Sequence, residues 1–258
     1  MPKQKRDPIE YLFNARKKVA PDQSEKVAPV KKMLPGTAFF PGGSGLWLGH
    51  SSSSKTVSNK PSMPKKKIMV LGNDFGLKAG YENALDYPYE NLKSPTWRNL
   101  LELLHHAGIK PKNCFFTNAY MGLRITGKRT GQSPGAADPE FVERCESFFL
   151  DKQIPVQKPR LILVLGTEAR RFITPLSSDL KPWKKWQSFE KLDAHGFSFI
   201  EEVNFKNSAG QPTTVVALVH PSAQWTSTFK NRRYRGANGE KAELKMLKRA
   251  LKKSGLKK

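Results

Sequence analysis

The sequence predicts an α/β fold with three layers, α/β/α, around a central, mainly parallel four-stranded sheet. Two observations indicate it. Apolar segments such as residues 67–72 and 160–166 are hydrophobic on both faces, and they alternate with segments of helical periodicity such as residues 96–107. Strands of this kind are buried on both sides, which is typical of parallel sheets covered by helices.

The first half of the domain supplies two of these strands and one helix. Residues 67–72 (KIMVLG) form a strand that ends at a glycine. Residues 96–107 form a helix, because Ser94 and Pro95 are a start signal and Gly108 is a stop signal. Residues 113–120 (NCFFTNAY) form the next buried strand.

The second half continues the alternation. Asp138 as N-cap and Pro139 at the first helical position predict a helix over residues 138–153. Further elements are predicted in this order: a strand over 160–166, a helix over 167–173, strands over 197–205 and 213–220 around a turn at 207–211, and a basic helix over 240–253.

Composition divides the chain into four regions. Residues 1–35 are expected to form a basic, flexible N-terminal arm, with a short helix near residues 8–18. Residues 36–66 are expected to pack on the body, because their first part is rich in aromatic and apolar residues. Residues 67–254 form the α/β domain, and residues 255–258 form a basic tail.

The charge of the chain predicts a nucleic-acid partner. Lys and Arg number 45 against 22 Asp and Glu, a net charge of +23. Residues 1–67 hold 14 basic and 4 acidic residues, residues 230–258 hold 12 and 2, and the middle holds 19 and 16. Concentrated Lys and Arg bind a phosphate backbone by releasing counterions. A solubilising tail and an acidic membrane surface are less favoured, because neither end has the aromatic-anchored pattern of an interfacial helix.

Other classes of protein are disfavoured by the apolar pattern and the cysteine count. No apolar run approaches the ~20 residues that span a bilayer, and the start of the sequence lacks a secretory pattern. We therefore expect a monomer with no membrane partner, cytoplasmic and nucleoid-associated, or nuclear in a eukaryote. Cys114 and Cys145 lie in apolar segments, which predicts reduced, buried thiols rather than disulfides or a four-cysteine metal site.

Polar residues follow three of the predicted strands. Asp74 lies in the loop GNDFG, Asn118 ends the strand FFTNAY, and His220 begins the loop HPS. Ligand sites of parallel sheets lie at the carboxyl ends of the strands, so we expect these side chains to converge. His105 and His106 have no companion at a ligand spacing and are interpreted as structural, so no metal is predicted.

A carboxylate, an amide and an imidazole beside a basic surface suit the cleavage of a nucleobase–sugar bond. The carboxylate orients water and offsets positive charge on the sugar, the amide reads a base edge, and the imidazole stabilises the departing base. Each residue alone also has a simpler structural explanation. Asp74 can cap a turn, Asn118 can bond loop backbone, and His220 can pack in the core. Their joint position at three strand ends favours a site.

At this point the segments resemble the uracil-DNA glycosylase superfamily over roughly residues 65–251. GNDFG is similar to the first motif of that family, and HPSAQW is similar to the second. FFTNAY resembles its Thr-Asn strand end, and CESFFLDKQI with PRLILVLGTEA resembles its third strand and the helix before it. The resemblance implies the same three-layer fold and an N-glycosylase that hydrolyses uracil, or a related deaminated base, from DNA.

The resemblance also implies roles for the residues of the site. Asp74 matches the position of the residue that activates water, His220 would stabilise the leaving base, and Asn73 and Asn118 would bind it. One aromatic residue would stack on the base, with Tyr89 as the first choice in the set Tyr81, Tyr87, Tyr89 and Trp97.

Further residues would contact DNA. Ser222 would bind a phosphate, and Gln224 and Trp225 lie in the loop that enters the duplex in this family. The basic C-terminal region adds Arg232, Arg233 and Arg235.

The sequence departs from the family pattern in three places. Gln224 replaces the usual apolar wedge, a role that Trp225 would take over. Phe75 stands where proline is common, and Cys145 matches one position of an iron-sulfur cluster whose other three thiolates are absent, so no cofactor is expected.

Two other functions stay open at this level. One is a non-catalytic nucleic-acid-binding protein that keeps the same fold, which the unusual first motif favours. The other is an α/β enzyme acting on free nucleotides, with Gly166 and Thr167 at a helix start holding phosphate. The free-nucleotide enzyme gives no reason for the charge of +10 at each end.

Overall fold

A computed structural model of the chain describes residues 7–34, 38–39, 42–47, 62–65, 67–86, 90–128, 130–208 and 210–256. The strands are β1 Val27–Ala28, β2 Ile68–Asp74, β3 Cys114–Tyr120, β4 Leu123–Arg124, β5 Leu161–Leu165, β6 Phe199–Val203, β7 Thr213–Leu218, β8 Arg233–Tyr234 and β9 Ala237–Asn238. The helices are α1 Pro8–Arg16, α2 Lys78–Ala84, α3 Pro95–His106, α4 Pro139–Phe148, α5 Ile154–Gln157, α6 Gly166–Ile173, α7 Lys181–Lys185, α8 Phe189–Ala194, α9 Ser227–Lys230 and α10 Gly239–Lys253.

The central sheet has the strand order β3-β2-β5-β7-β6. β3, β2, β5 and β7 are parallel, and β6 pairs antiparallel with β7 at the edge. The expected three-layer α/β/α fold is confirmed, but the expected number of strands is one too low. The segment predicted as a strand over residues 197–205 contains β6, the fifth strand of the same sheet. A short turn after β6 leads into β7, which pairs antiparallel with it.

Two apolar clusters lie on the two faces of this sheet. Alternate residues of β2 show the division, because Met69 and Leu71 pack with α1, α4 and α6, whereas Ile68 and Val70 pack with α3 and α10. The period-2 alternation of side chains along a strand places each set on one face. Both faces are therefore covered, as the apolar segments indicated.

Helix starts follow the predicted capping residues. The Ser94 side chain accepts a hydrogen bond from the backbone of Trp97, and the Asp138 side chain accepts one from Phe141. These bonds satisfy backbone donors that have no partner within the helix. The helix predicted over residues 138–153 is α4 followed by a π-helical turn at Phe149–Gln153.

The N-terminal region is folded over residues 7–34, so the expectation of a flexible arm there is wrong. α1 confirms the short helix, and β1 pairs antiparallel with β4. Buried side chains at Ile9, Leu12 and Val27 join the core on the α4 side of the sheet. Apolar residues spaced among the lysines hold this region, a pattern that net charge alone does not show.

The residues after this region complete the edge of the sheet. Leu46 pairs antiparallel with Phe115 of β3, and the Phe116 backbone donates to the Gly45 carbonyl over 2.8 Å. Residues 42–47 therefore cover the outer edge of β3.

No helix in the described parts of the chain has the length and apolar character needed to cross a bilayer. Both cysteines are buried thiols outside any disulfide, as expected. Burial raises the pKa of the Cys145 thiol to about 12, so this thiol stays protonated at neutral pH.

Candidate active site

Asp74, Asn118 and His220 lie at the same edge of the sheet. β2 ends at Asp74, Asn118 lies opposite Gly72 in the register of β2 and β3, and His220 follows β7. Burial lowers the pKa of the His220 imidazole, and the negative charge of Asp74 is near enough to oppose this shift. The convergence that the sequence predicted is therefore present.

Gly166 allows His220 to reach across the end of β5, which separates β7 from β2. The backbone of Gly166 has φ +85°, and a Cβ there would lie 3.0 Å from the His220 Cβ. Any side chain at residue 166 would thus collide with the histidine. The same contact places His220 over the start of α6, where the free-nucleotide hypothesis put a phosphate.

The Asp74 carboxylate is held by a buried arginine that the sequence reasoning missed. Arg124 donates from Nε to the Asp74 Oδ2 over 2.7 Å, and its Nη2 lies 2.7 Å from the same oxygen as an ion pair. Both side chains are almost fully buried. The Asp74 Oδ1 accepts the Gly76 backbone N–H over 2.9 Å. The carboxylate is therefore held at both of its oxygens.

Arg124 also fixes the loop that follows β4. Its Nη1 donates to the carbonyls of Lys128 and Thr130, and its Nη2 donates to the carbonyl of Gly131 over 2.7 Å. Every nitrogen of the guanidinium thus donates at least one hydrogen bond. In the sequence, a lone arginine within the apolar segment MGLRI was the feature that could have indicated a buried, paired Arg124.

Asn118 lies against the backbone of β2. A Cβ on Gly72 would lie 2.4 Å from the Asn118 Oδ1, so only glycine leaves room for the amide. The Asn118 Nδ2 donates to the main-chain carbonyl of Phe39 over 3.3 Å. This contact brings the N-terminal extension into the site, which the sequence reasoning did not foresee.

The extension is fixed at this point by a buried carboxylate. Glu90 accepts the Ala38 backbone N–H and the Trp97 indole N–H, each over 2.6 Å. The Phe39 ring packs against Trp97 with centroids 5.3 Å apart. The Phe39 carbonyl is therefore held in place beside Asn118.

Hydrogen bonds from Ser222 set the tautomer of His220. The Ser222 backbone N–H points at the His220 Nδ1 over 3.3 Å, and the Ser222 hydroxyl lies 2.8 Å from the same nitrogen. A backbone N–H only donates, so Nδ1 is the acceptor and the proton of the neutral ring is assigned to Nε2. Within the described residues no protein group bonds Nε2.

Burial lowers the pKa of His220, and the negative charge of Asp74 opposes this shift. The imidazole is therefore neutral at physiological pH. A neutral ring with its proton on Nε2 can donate one hydrogen bond toward the centre of the site.

Two predicted base-binding residues have different outcomes. The Asn73 Nδ2 donates to the Gly131 carbonyl over 2.9 Å, and its Oδ1 is buried without a partner in the described parts of the chain. Asn73 therefore keeps one acceptor for a ligand. Tyr89 lies outside the described residues, so its role stays a prediction.

The loop after His220 exposes two of the predicted DNA contacts. Trp225 has 78% of its surface exposed, and Gln224 is half-buried. Ser222 is engaged with His220, so it has a positioning role in addition to the predicted phosphate contact.

Arg232, predicted from the sequence as a DNA contact, lies in the interior of the structure. Its side chain is fully buried, pairs with Asp193 over 2.9 Å and with Glu243 over 2.7 Å, and donates to the Ala217 carbonyl. A charge pattern does not distinguish a buried arginine from an exposed one. Arg233 and Arg235 are exposed, and their predicted contacts with DNA stay predictions.

A half-buried arginine, Arg16, lies behind the first motif. The Arg16 Nη1 donates to the Gly43 carbonyl over 2.9 Å, while Nε and Nη2 are buried without a partner among the described residues. Burial lowers the pKa of Arg16 to about 10, so the guanidinium stays charged. The centre of the Arg16 guanidinium lies 5.0 Å from the Phe75 ring centroid, a cation–π contact that supports the loop of the first motif.

The described side chains also include one exposed group with metal-ligand chemistry. Ligand atoms of Glu102, His106 and Glu240 lie within 4.8 Å of one another. They are on α3 and at the start of α10, and the His106 Nδ1 lies 3.5 Å from a Glu240 oxygen. This contact is an ordinary surface pair, in line with the structural interpretation of His106.

Comparison with known families gives one match. A sequence model described as the Uracil DNA glycosylase superfamily matches residues 62–251. No curated protein sequence matched the chain. The matched residues include Asp74, Asn118 and His220, whereas Arg16 and Phe39 lie before them.

Proposed function

The chain belongs to the uracil DNA glycosylase superfamily, and on that premise we propose that it hydrolyses the N-glycosidic bond of uracil, or a related deaminated base, flipped out of DNA. The observation that carries the proposal is the convergence of Asp74, Asn118 and His220 at one edge of the sheet. Extrusion of the base costs a few kcal/mol, and less for a mispaired or unpaired base.

The reaction breaks the bond between C1′ of the sugar and N1 of the base. The bonding electron pair leaves with the base, and negative charge develops on its O2 oxygen. His220 donates a hydrogen bond from Nε2 to that oxygen, in the geometry that its bonds to Ser222 set. A water molecule then adds to C1′ through its oxygen, and the proton that it loses passes through solvent to the departing base anion, which leaves as neutral uracil.

Asp74 acts on the sugar side of this bond. Its Oδ1 accepts one hydrogen bond, from Gly76, and keeps a second acceptor position that can orient the attacking water. The negative charge of the carboxylate, which pairs with Arg124, offsets the positive charge that develops on the sugar.

The hydrogen-bond donor and acceptor of the Asn118 amide favour uracil over cytosine as the substrate base. The Phe39 carbonyl only accepts hydrogen bonds, so it requires the NH₂ group of Asn118 to face it. The Asn118 Oδ1 and the second N–H then present an acceptor and a donor, which match the N3–H and O4 of uracil. Cytosine offers an unprotonated N3 and an amino group instead, and would place acceptor against acceptor and donor against donor.

The test is release of free uracil from an oligonucleotide with one labelled deoxyuridine. The wild-type chain is expected to release uracil, and Asn118→Ala is expected to lower kcat/KM about 100-fold or more. Asn113→Ala is the matched control, because it is the same substitution before the amino end of β3, at the opposite edge of the sheet. Equal activity of the two variants would remove Asn118 from the mechanism.

A non-catalytic, nucleic-acid-binding protein is the second candidate, and one observation favours it. Arg124 binds the Asp74 Oδ2 through a hydrogen bond and a buried ion pair, which leaves the carboxylate little freedom. This candidate predicts tight binding of uracil-containing DNA with no abasic product. The same oligonucleotide, assayed for binding and for strand scission at abasic sites, separates the two.

A further inference from the structure

A groove lies beside the candidate active site, between the β8–β9 hairpin, the start of β6 and α10. Its volume is about 670 Å³, which is within the range of small-molecule sites. The side chains that give it its chemistry are Phe199, Tyr234, Arg233, Arg235 and Arg249. None of the roles assigned above uses the groove as a whole.

The carboxylates that line the groove are already paired. Asp193 is bound by the buried Arg232, with Nε and Oδ2 2.9 Å apart. Glu201 pairs with Lys253, with Nζ and Oε2 2.9 Å apart. The three arginines of the groove therefore present positive charge with no unpaired carboxylate in the described lining, which selects an anionic ligand.

Two of the arginines lie over aromatic rings. The Arg235 guanidinium centre is 5.8 Å from the Tyr234 ring centroid, and that of Arg249 is 5.9 Å from the Phe199 ring centroid. The two rings are 6.1 Å apart and nearly perpendicular. Aromatic rings with guanidinium groups beside them are what unpaired nucleobases stack on.

The backbone also fixes Arg235 and Arg233 at the rim of the groove. Arg235 and Gly236 have φ of +48° and +75°, which makes a tight two-residue turn and places Arg235 at the tip of the hairpin. The Arg233 Nη1 donates to the carbonyls of Lys230 and Arg232, each over 3.0 Å, which holds this exposed side chain in one orientation.

The groove lies within reach of a strand bound at the site. Phe199 pairs with Val216 of β7, and His220 is four residues further along the chain. At ~3.3 Å per residue this is ~13 Å, or about four nucleotides at the helical rise of one strand. The exposed Trp225 lies in the loop that joins His220 to the hairpin.

We propose that this groove binds an unpaired nucleotide of the DNA strand that flanks the extruded base, so that the chain acts on single-stranded DNA. A phosphodiester meets the arginines, and a base stacks on Tyr234 or Phe199. The proposal rests on the proposed function only for the identity of the polymer as DNA.

The test measures binding of a fluorescent single-stranded oligonucleotide without uracil, so its outcome does not depend on base release. Tyr234→Ala is expected to weaken binding about 5- to 150-fold, the range for loss of one stacked base, and Tyr234→Phe is expected to bind like the wild type. Arg235→Ala is expected to reduce the slope of log affinity against log salt by about 0.7. Arg160→Ala is the matched control, an exposed arginine before the amino end of β5.

The same variants are measured on a blunt duplex of equal length. Tyr234→Ala is expected to leave duplex binding within about 2-fold of the wild type, because paired bases offer no face to stack. Single-strand binding by Tyr234→Ala at the wild-type level, or an equal loss on the duplex, would overturn the proposal. Thermal unfolding of each variant checks that the hairpin is intact.

Discussion

The loops that carry Asp74 and His220 differ in how completely protein hydrogen bonds hold the functional side chain. Asp74 is bound from two sides, by Arg124 at Oδ2 and by the Gly76 backbone at Oδ1. His220 is bound at Nδ1 alone, and its Nε2 has no partner within the described residues. In the reaction that we propose, Asp74 therefore acts mainly through a fixed charge, whereas His220 acts through a bond that forms during the reaction.

The two loops also differ in what a substitution removes. The Asp74–Arg124 pair is buried, with side-chain exposures of 5% and 2%. Loss of one partner leaves an uncompensated charge in the interior, so the stability of the fold depends on this pair. The His220 loop makes fewer such bonds, so its substitutions separate activity from stability.

The largest expected effect comes from breaking the pair at the arginine. Arg124→Met is expected to lower the free energy of unfolding by about 3–5 kcal/mol, because it leaves the Asp74 carboxylate buried and unpaired. Urea denaturation measures the loss, and Arg98→Met, an exposed arginine on α3, is the control. A double variant, Asp74→Leu with Arg124→Met, is expected to recover part of the stability. An unfolding curve of Arg124→Met that overlays the control would contradict the assigned role.

The next effect tests the open nitrogen of His220. His220→Ala is expected to lower the rate constant of uracil release about 100- to 1000-fold, the loss typical of one preorganised donor to a developing negative charge. Its free energy of unfolding is expected to change far less than that of Arg124→Met. His105→Ala, an exposed histidine on α3, controls for the substitution. A rate constant unchanged in His220→Ala would remove the histidine from the reaction.

A smaller effect is expected at the residue that orients this histidine. Ser222→Ala removes the hydroxyl from Nδ1 but keeps the backbone N–H, so we expect a loss of about 5- to 10-fold in the rate constant, near the worth of one hydrogen bond. Ser227→Ala, an exposed serine in α9, is the control. Because Ser222 is also a predicted phosphate contact, KM is measured separately. A rise in KM with an unchanged rate constant would assign Ser222 to phosphate alone.

The smallest expected effect is that of pH near neutrality on the rate constant of uracil release. Burial lowers the His220 pKa below its ordinary value of 6.5, so the rate constant is expected to hold as pH falls through 6.5 and to decline only at lower pH. The folded state also binds fewer protons in that window, so the contribution of His220 to stability is full above pH 6.5 and is lost as pH falls toward the lowered pKa.

Asp74 enters the same profile through its charge. Asp74→Asn is expected to move the acidic limb to still lower pH, because the carboxylate no longer raises the His220 pKa. NMR titration of the imidazole measures this shift apart from the rate. A limb that moves toward higher pH in this variant would show that the two groups are not coupled in the way described.

The sequence allowed the positions of the main elements and of the central residues to be predicted. The five strands of the central sheet lie where apolar segments bounded by turn residues indicated, and the rule for parallel sheets placed Asp74, Asn118 and His220 together. These features depend on local patterns and on topology. They therefore need no knowledge of which side chains meet across long distances.

The partners of those residues could not be predicted in this way. Arg124 pairs with a residue 50 positions earlier, and Phe39 bonds Asn118 across 79 positions. Arg232 lies in a basic run, yet it is buried because Asp193 and Glu243 meet it there. Such pairings follow from the packed structure and leave no periodic signal in the sequence.

Residues 42–47 have a consequence for how the chain behaves in a concentrated solution. An uncovered edge strand offers a row of unpaired N–H and C=O groups to other molecules. Because Leu46 and Gly45 pair with β3, a chain trimmed to residues 62–251 would lose this cover and present the edge of β3 to solvent. Such a fragment is expected to self-associate through strand addition, so the N-terminal segment protects solubility as well as lying beside Asn118.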